Sequence, residues 1–204
     1  MRGQYWFCSI FPEPLKEDRR TVTRQEEFVR HFLEQNPGSE DKDEIDIFLA
    51  WLQENGPDEW HRWAIDWNWD HGTELFEWIV DQPNCDRGTA LSIYYSANPD
   101  FYTRYGSIEE AIADGIGREI IPLMTKICER WREGSYSPYQ YYPSGGAMEF
   151  LTQGEETLLA LAAAVPWDVP DGLATSGIRG EPNSFSETVD GIPVEMLRAL
   201  GEDW

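Results

Sequence analysis

Apolar residues recur at three- and four-residue steps along much of this 204-residue chain, in runs that follow helix-start signals. Phe28, Phe32 and Leu33 form one such run. Ile45, Phe48, Leu49 and Leu52 form a second, Leu75, Trp78 and Ile79 a third, and Ala90, Leu91 and Tyr94 a fourth. This spacing gathers each set on one side of a helix, whereas a half-buried strand would alternate. Thr23-Arg24-Gln25-Glu26, Ser107-Ile108-Glu109-Glu110 and Thr152-Gln153-Gly154-Glu155 read as capping boxes, each able to satisfy two backbone donors at a helix start. Pro57 and Pro99 suit first helical positions, where the missing N–H is not needed, and Asp70 and Asp86 suit N-caps. The longest periodic stretch, residues 108–133, runs through Ile112, Ile116, Ile120, Met124, Ile127 and Trp131, with Gly115, Gly117 and Pro122 placed to bend or break it.

The pattern predicts an all-α fold: a compact multi-helix bundle, or a short solenoid-like array, of about seven or eight helices. The solenoid alternative comes from a weak internal echo, Phe48-Leu49-Ala50-Trp51-Leu52 against Leu75-Phe76-Glu77-Trp78-Ile79. Only the first ten residues read as strand-like. Gly134 to Gly146 reads as a turn-rich loop whose Tyr136, Tyr139, Tyr141 and Tyr142 serve as anchors. Residues 166–191, rich in Pro and Gly, read as irregular chain before a last helix near Val194 to Leu200. The whole chain, 1–204, is expected to form one domain: an acidic, Trp-rich helical part (23–105), a long helical region with the tyrosine loop (107–146), and a C-terminal helix and irregular tail (147–204).

Sixteen Lys and Arg against thirty-eight Asp and Glu leave a formal charge of −22, yet 41% of the residues are hydrophobic and 14% aromatic. Such a chain can fill a core, so the acid belongs to the surface. The excess repels nucleic acid and anionic membrane, and neither is expected as a partner. It is uneven: residues 26–81 carry 3 basic and 16 acidic side chains, whereas residues 82–148 carry 6 and 8. The start, apolar only from Tyr5 to Phe11 before Pro12, does not resemble a signal peptide. Cys8, Cys85 and Cys128 are too widely spaced for a disulfide framework or a zinc site. The expectation is a cytoplasmic protein with reduced thiols and no cofactor.

Six of the ten tryptophans, Trp51, Trp60, Trp63, Trp67, Trp69 and Trp78, lie in the most acidic block. Trp51, Trp63 and Trp78 fit core positions. Six indoles in so short a stretch are hard to bury with every N–H paired, so Trp60, Trp67 and Trp69 are candidates for the surface. Rings surrounded by carboxylates suit recognition of a basic protein, with rings as anchors and acids steering the approach.

Motifs for chemistry are weak. Asp66-Trp67-Asn68-Trp69-Asp70-His71-Gly72 with Glu77 has oxygen ligands spaced as in a calcium loop, but its glycine comes one residue late, so no metal is expected there. His61 and His71 with Asp66 and Asp70 offer the materials for a metal-dependent or hydrolytic site, without a recognised ligand spacing. Nucleophile-elbow, phosphate-loop and dinucleotide fingerprints are absent.

Trp67-Asn68-Trp69-Asp70-x-Gly72, Leu75-x-x-Trp78-Ile79, Gln82-Pro83-Asn84-Cys85-Asp86-x-Gly88-Thr89-Ala90-Leu91 and Tyr94-Tyr95 together resemble family 4274 of the bacterial domains of unknown function. The resemblance spans roughly residues 60–105 and implies a bacterial, helical, cytosolic protein without assigned catalytic residues. Its shared residues read as scaffold, helix caps and packing positions, which moves function to the variable surface.

The expected function is that of an immunity-type protein, not an enzyme, that binds and neutralises a cognate basic protein toxin. The residues expected at the contact are Asp58, Glu59, Trp60, Asp66, Trp67, Glu74 and Glu77. Two alternatives stand beside it: an enzyme using His61, His71, Asp66 and Asp70, and an acidic nucleic-acid mimic that blocks a DNA-binding protein.

Overall fold

The computed structural model describes residues 22–37, 44–144, 146–180, 188–189 and 191–201. The strand-like reading of the first ten residues lies outside them. The described chain is helical: α1 (Arg24–Gln35), α2 (Glu44–Glu54), α3 (Pro57–Asp66), α4 (Glu74–Asp81), α5 (Arg87–Ser96), α6 (Ile108–Ala113), α7 (Ile120–Arg132), α8 (Ala147–Leu151), α9 (Glu155–Ala164), α10 (Asp171–Ala174) and α11 (Val194–Leu200). Short 3-10 turns cover Trp69–His71 and Pro99–Arg104. The helices exceed the expected number because α8 and α10 are too short to show a period, while the 108–133 stretch divides in two near the glycines placed to break it. The division follows Gly115, whose φ is +82°, while Pro122 sits harmlessly in the first turn of α7.

Local signals hold in some places and fail in others. Thr23 caps α1 with a complete capping box: its hydroxyl accepts from the Glu26 N–H, and the Glu26 carboxylate accepts from the Thr23 N–H at 2.8 Å. Ser107 caps α6, but Glu110 reaches past it to the Gly106 N–H at 2.8 Å. Thr152 caps nothing at an N-terminus. It follows α8 and donates back to the Met148 carbonyl, and α9 starts after Gly154. Asp70 is likewise no cap: Asn68 accepts from the Asp70 N–H, and α4 begins after Thr73.

Helix α5 is the centre. Every residue from Gly88 to Tyr95 is buried, which explains its lack of a polar face. It packs against α3, α7, α8 and the Pro99–Arg104 turn, while α2 lies on α4. The echo segments therefore touch, but α1 packs on α11 and brings the two ends of the described chain together. That closes a bundle rather than extending an open array. Most of the core belongs to one hydrophobic cluster reaching from Val29 to Leu197.

The described residues of 166–191 are mostly irregular, as expected, apart from α10 and the first strand of a small hairpin. In this hairpin, β1 (Thr188–Val189) pairs antiparallel with β2 (Ile192–Pro193). Two-residue strands carry no alternation pattern, so the sequence gives no sign of them. Gly191 has φ +84°, and a Cβ there would collide with the backbone of Asp66 and Trp67, which ties the hairpin to the end of α3.

Candidate functional site

The acidic, Trp-rich block folds as α2, α3 and α4, and its indoles point inward. Trp63 is fully buried and Trp51, Trp60 and Trp67 are buried beside it, with Trp69 and Trp78 partly covered. Trp60 and Trp67 were expected at the surface. The correction has a physical cause, which is that each indole N–H finds an acceptor inside. Glu59 accepts from Trp51 Nε1 at 2.6 Å and from Trp63 Nε1 at 3.1 Å. Trp60 donates to the Leu52 carbonyl at 2.8 Å, and Trp67 to the Gly72 carbonyl at 3.2 Å. Edge-to-face packing of Trp60 on Trp78 (5.5 Å, 87°) and of Phe48 on Trp67 (5.9 Å, 76°) completes the aromatic core.

The seven expected contact residues therefore separate. Asp58 and Glu74 are exposed. Glu59 is half-buried, pairs with the buried Arg62, and belongs to the core. Asp66 is half-buried near the Thr188 hydroxyl at 3.4 Å, and burial raises its carboxyl pKa. Glu77 is half-buried and accepts from the Thr73 hydroxyl at 3.2 Å. Besides Glu44, Asp46 and Asp81, the exposed acids of the α2–α4 segment are Glu54, Asp58, Asp70 and Glu74. Among the described residues, none of these four is held in an ion pair.

The two histidines occupy different surroundings. His71 is exposed, packs on the Trp67 ring at 5.2 Å, and lines a small cleft with Glu44, Ile45 and Ile192. His61 is fully buried on α3. Its Nδ1 lies 2.9 Å from the Thr89 hydroxyl, and its ring stacks on Tyr141 at 4.8 Å and 14°. Burial lowers its pKa from 6.5 to about 4, against the opposing pull of the Tyr142 backbone and Asp58. His61 is thus a neutral structural group at pH 7. Among the described residues, no group of three or more His, Cys, Asp and Glu is arranged to hold a metal ion.

His61 belongs to a polar cluster that fastens the tyrosine loop to α3 and α5. At the loop's start, Ser137 and the Cys85–Arg87 backbone exchange two hydrogen bonds, at 2.9 and 3.1 Å. The buried Asp86 carboxylate then caps α5 through the Gly88 N–H at 2.7 Å, as its sequence position suggests, and accepts from the Gln140 N–H at 2.8 Å. Burial raises the Asp86 pKa, and these N–H donors oppose the rise. Tyr141 lays its ring on His61 and donates its hydroxyl to Asp58. A Cβ on Gly88 would fall on the Tyr141 carbonyl oxygen, so the close approach requires glycine. Tyr136 and Tyr141 are buried anchors, as expected, while the part of Asp58 in holding Tyr141 has no sequence signal.

Cys85 and Cys128 are buried free thiols, and burial raises the pKa of both. No helix of the described residues is long and apolar enough to cross a membrane.

A search of the curated proteins and one of the solved structures each return no match. Residues 55–131, from the turn before α3 to the last turn of α7, match the family model described as Domain of unknown function (DUF4274), so this segment, wider than the sequence motifs span, is the part of the chain that carries the family's pattern.

Proposed function

We propose that the protein is a cytoplasmic, immunity-type binder that neutralises a cognate basic protein toxin, and that it does so through exposed carboxylates rather than indole rings. One observation carries this reading: Glu54, Asp58, Asp70 and Glu74 stand exposed along the α2–α4 segment without an ion-pair partner among the described residues. Unneutralised acids on a chain of charge −22 attract a cationic protein surface and speed its approach. Glu59, Trp60 and Trp67 serve beneath them, holding the helices that present the acids.

The test is co-expression with the product of the adjacent gene in cells that this product arrests. Relief of arrest and co-elution of a complex are the expected results. Continued arrest without a complex overturns the reading.

A further inference from the structure

Against the acidic surface, one cavity is basic. Its volume is about 390 Å³, within the range of small-molecule sites, and Arg87, Arg132 and Arg179 line it together with Trp131, Tyr139 and Pro170. The three arginines come from the start of α5, the end of α7 and the chain after α10. Arg132 is already paired, with the exposed Asp168 at 2.6 Å. Arg87 lies over the Trp131 ring at 5.5 Å and Arg179 over the Tyr139 ring at 5.8 Å. Among the described residues, no hydrogen bond or ion pair engages either of these guanidinium groups. Cation–π contact with a ring holds a guanidinium near the wall while leaving N–H donors available, which suits capture of an oxyanion.

We propose that this cavity binds the phosphate monoester of a small organic molecule, with the phosphate between Arg87 and Arg179 and the organic part along Tyr139 and Pro170. Two guanidinium groups match a dianionic phosphate in charge and in hydrogen-bond geometry. The Tyr139 ring and Pro170 offer an organic body apolar contacts that a bare ion lacks. A nucleic-acid strand does not fit the reading, because a long polyanion would have to lie against the surrounding carboxylates.

Calorimetric titration of the full chain with phenyl phosphate, and separately with inorganic phosphate, tests the proposal. Phenyl phosphate is expected to bind saturably and several-fold more tightly than inorganic phosphate. Arg87→Gln and Arg179→Gln are each expected to weaken it about tenfold, the scale of one lost charge-assisted bond. Arg179 is exposed, so Arg179→Gln keeps the test open if Arg87→Gln disturbs folding. Arg104→Gln, which removes a guanidinium stacked on Phe101 outside the cavity, should leave binding unchanged. The proposal is overturned by absence of saturable binding, by binding that survives the Arg87→Gln/Arg179→Gln double substitution, or by inorganic phosphate binding as tightly as the ester.

Discussion

Glu59 accepts from the indoles of Trp51 and Trp63 and pairs with Arg62, so one carboxylate satisfies three donors in the most aromatic part of the core. Its removal takes one partner from the buried Arg62 and leaves two indole N–H groups short of their acceptor. Glu59→Ala is therefore expected to destabilise the fold by about 3 kcal/mol in urea unfolding, whereas a loss under about 1 kcal/mol would contradict this role. The sequence places Glu59 next to the tryptophans but does not reveal the pairing, because the bond to Trp51 spans two helices. His61 makes a second residue-scale prediction. Its pKa is 6.5 when unfolded and about 4 when folded, so the unfolded chain takes up the proton first as pH falls. Its contribution is complete above pH 6.5 and is lost progressively towards pH 4. Asp66 and Asp86, with raised pKa values, act in the opposite sense, so the comparison must be between variants. The stability of the native protein relative to His61→Gln should fall by about 2–3 kcal/mol between about pH 7 and about pH 4.5. A pH-independent difference would contradict the buried neutral state.

Among the elements, those with long apolar periods were the most legible. The stripes of α1, α2 and α4, the Asp86 cap, the break near Gly115 and the last helix at Val194–Leu200 all follow from local chemistry. What the sequence concealed depends on contacts between distant segments. The tyrosine loop could be recognised as a loop with anchors, but its attachment to Asp86, Ser92 and His61 joins it to residues far earlier in the chain. The arginine cavity is concealed for the same reason, its only sequence trace being the nearly balanced charge of residues 82–148. Gly88→Ala puts a methyl group against the Tyr141 carbonyl and should detach this loop while α5 persists. Amide hydrogen exchange at Gln140 and Tyr141 is expected to accelerate about tenfold or more, with little change inside α5. Unchanged protection at both amides would show that the clamp does not hold the loop.

On the scale of the whole molecule, the aromatic residues and the acids have separate tasks. Every described tryptophan is buried or partly covered, while most described carboxylates stay in water. Composition predicted an aromatic core and an acidic surface. It did not predict how completely the two would segregate, since that required internal acceptors for the indoles. Because the proposed contact is electrostatic, raising salt shortens the reach of the field from about 8 Å at physiological ionic strength and should weaken association mainly through its on-rate. Titrating the adjacent gene's product into the native protein and into Asp70→Lys/Glu74→Lys asks whether exposed carboxylates do the binding. Both positions are exposed and outside the described ion pairs, so the fold should persist. Binding by the native chain, weakened at least about tenfold by the double reversal, is the predicted result. No binding, or equal affinity for the two proteins, would contradict it.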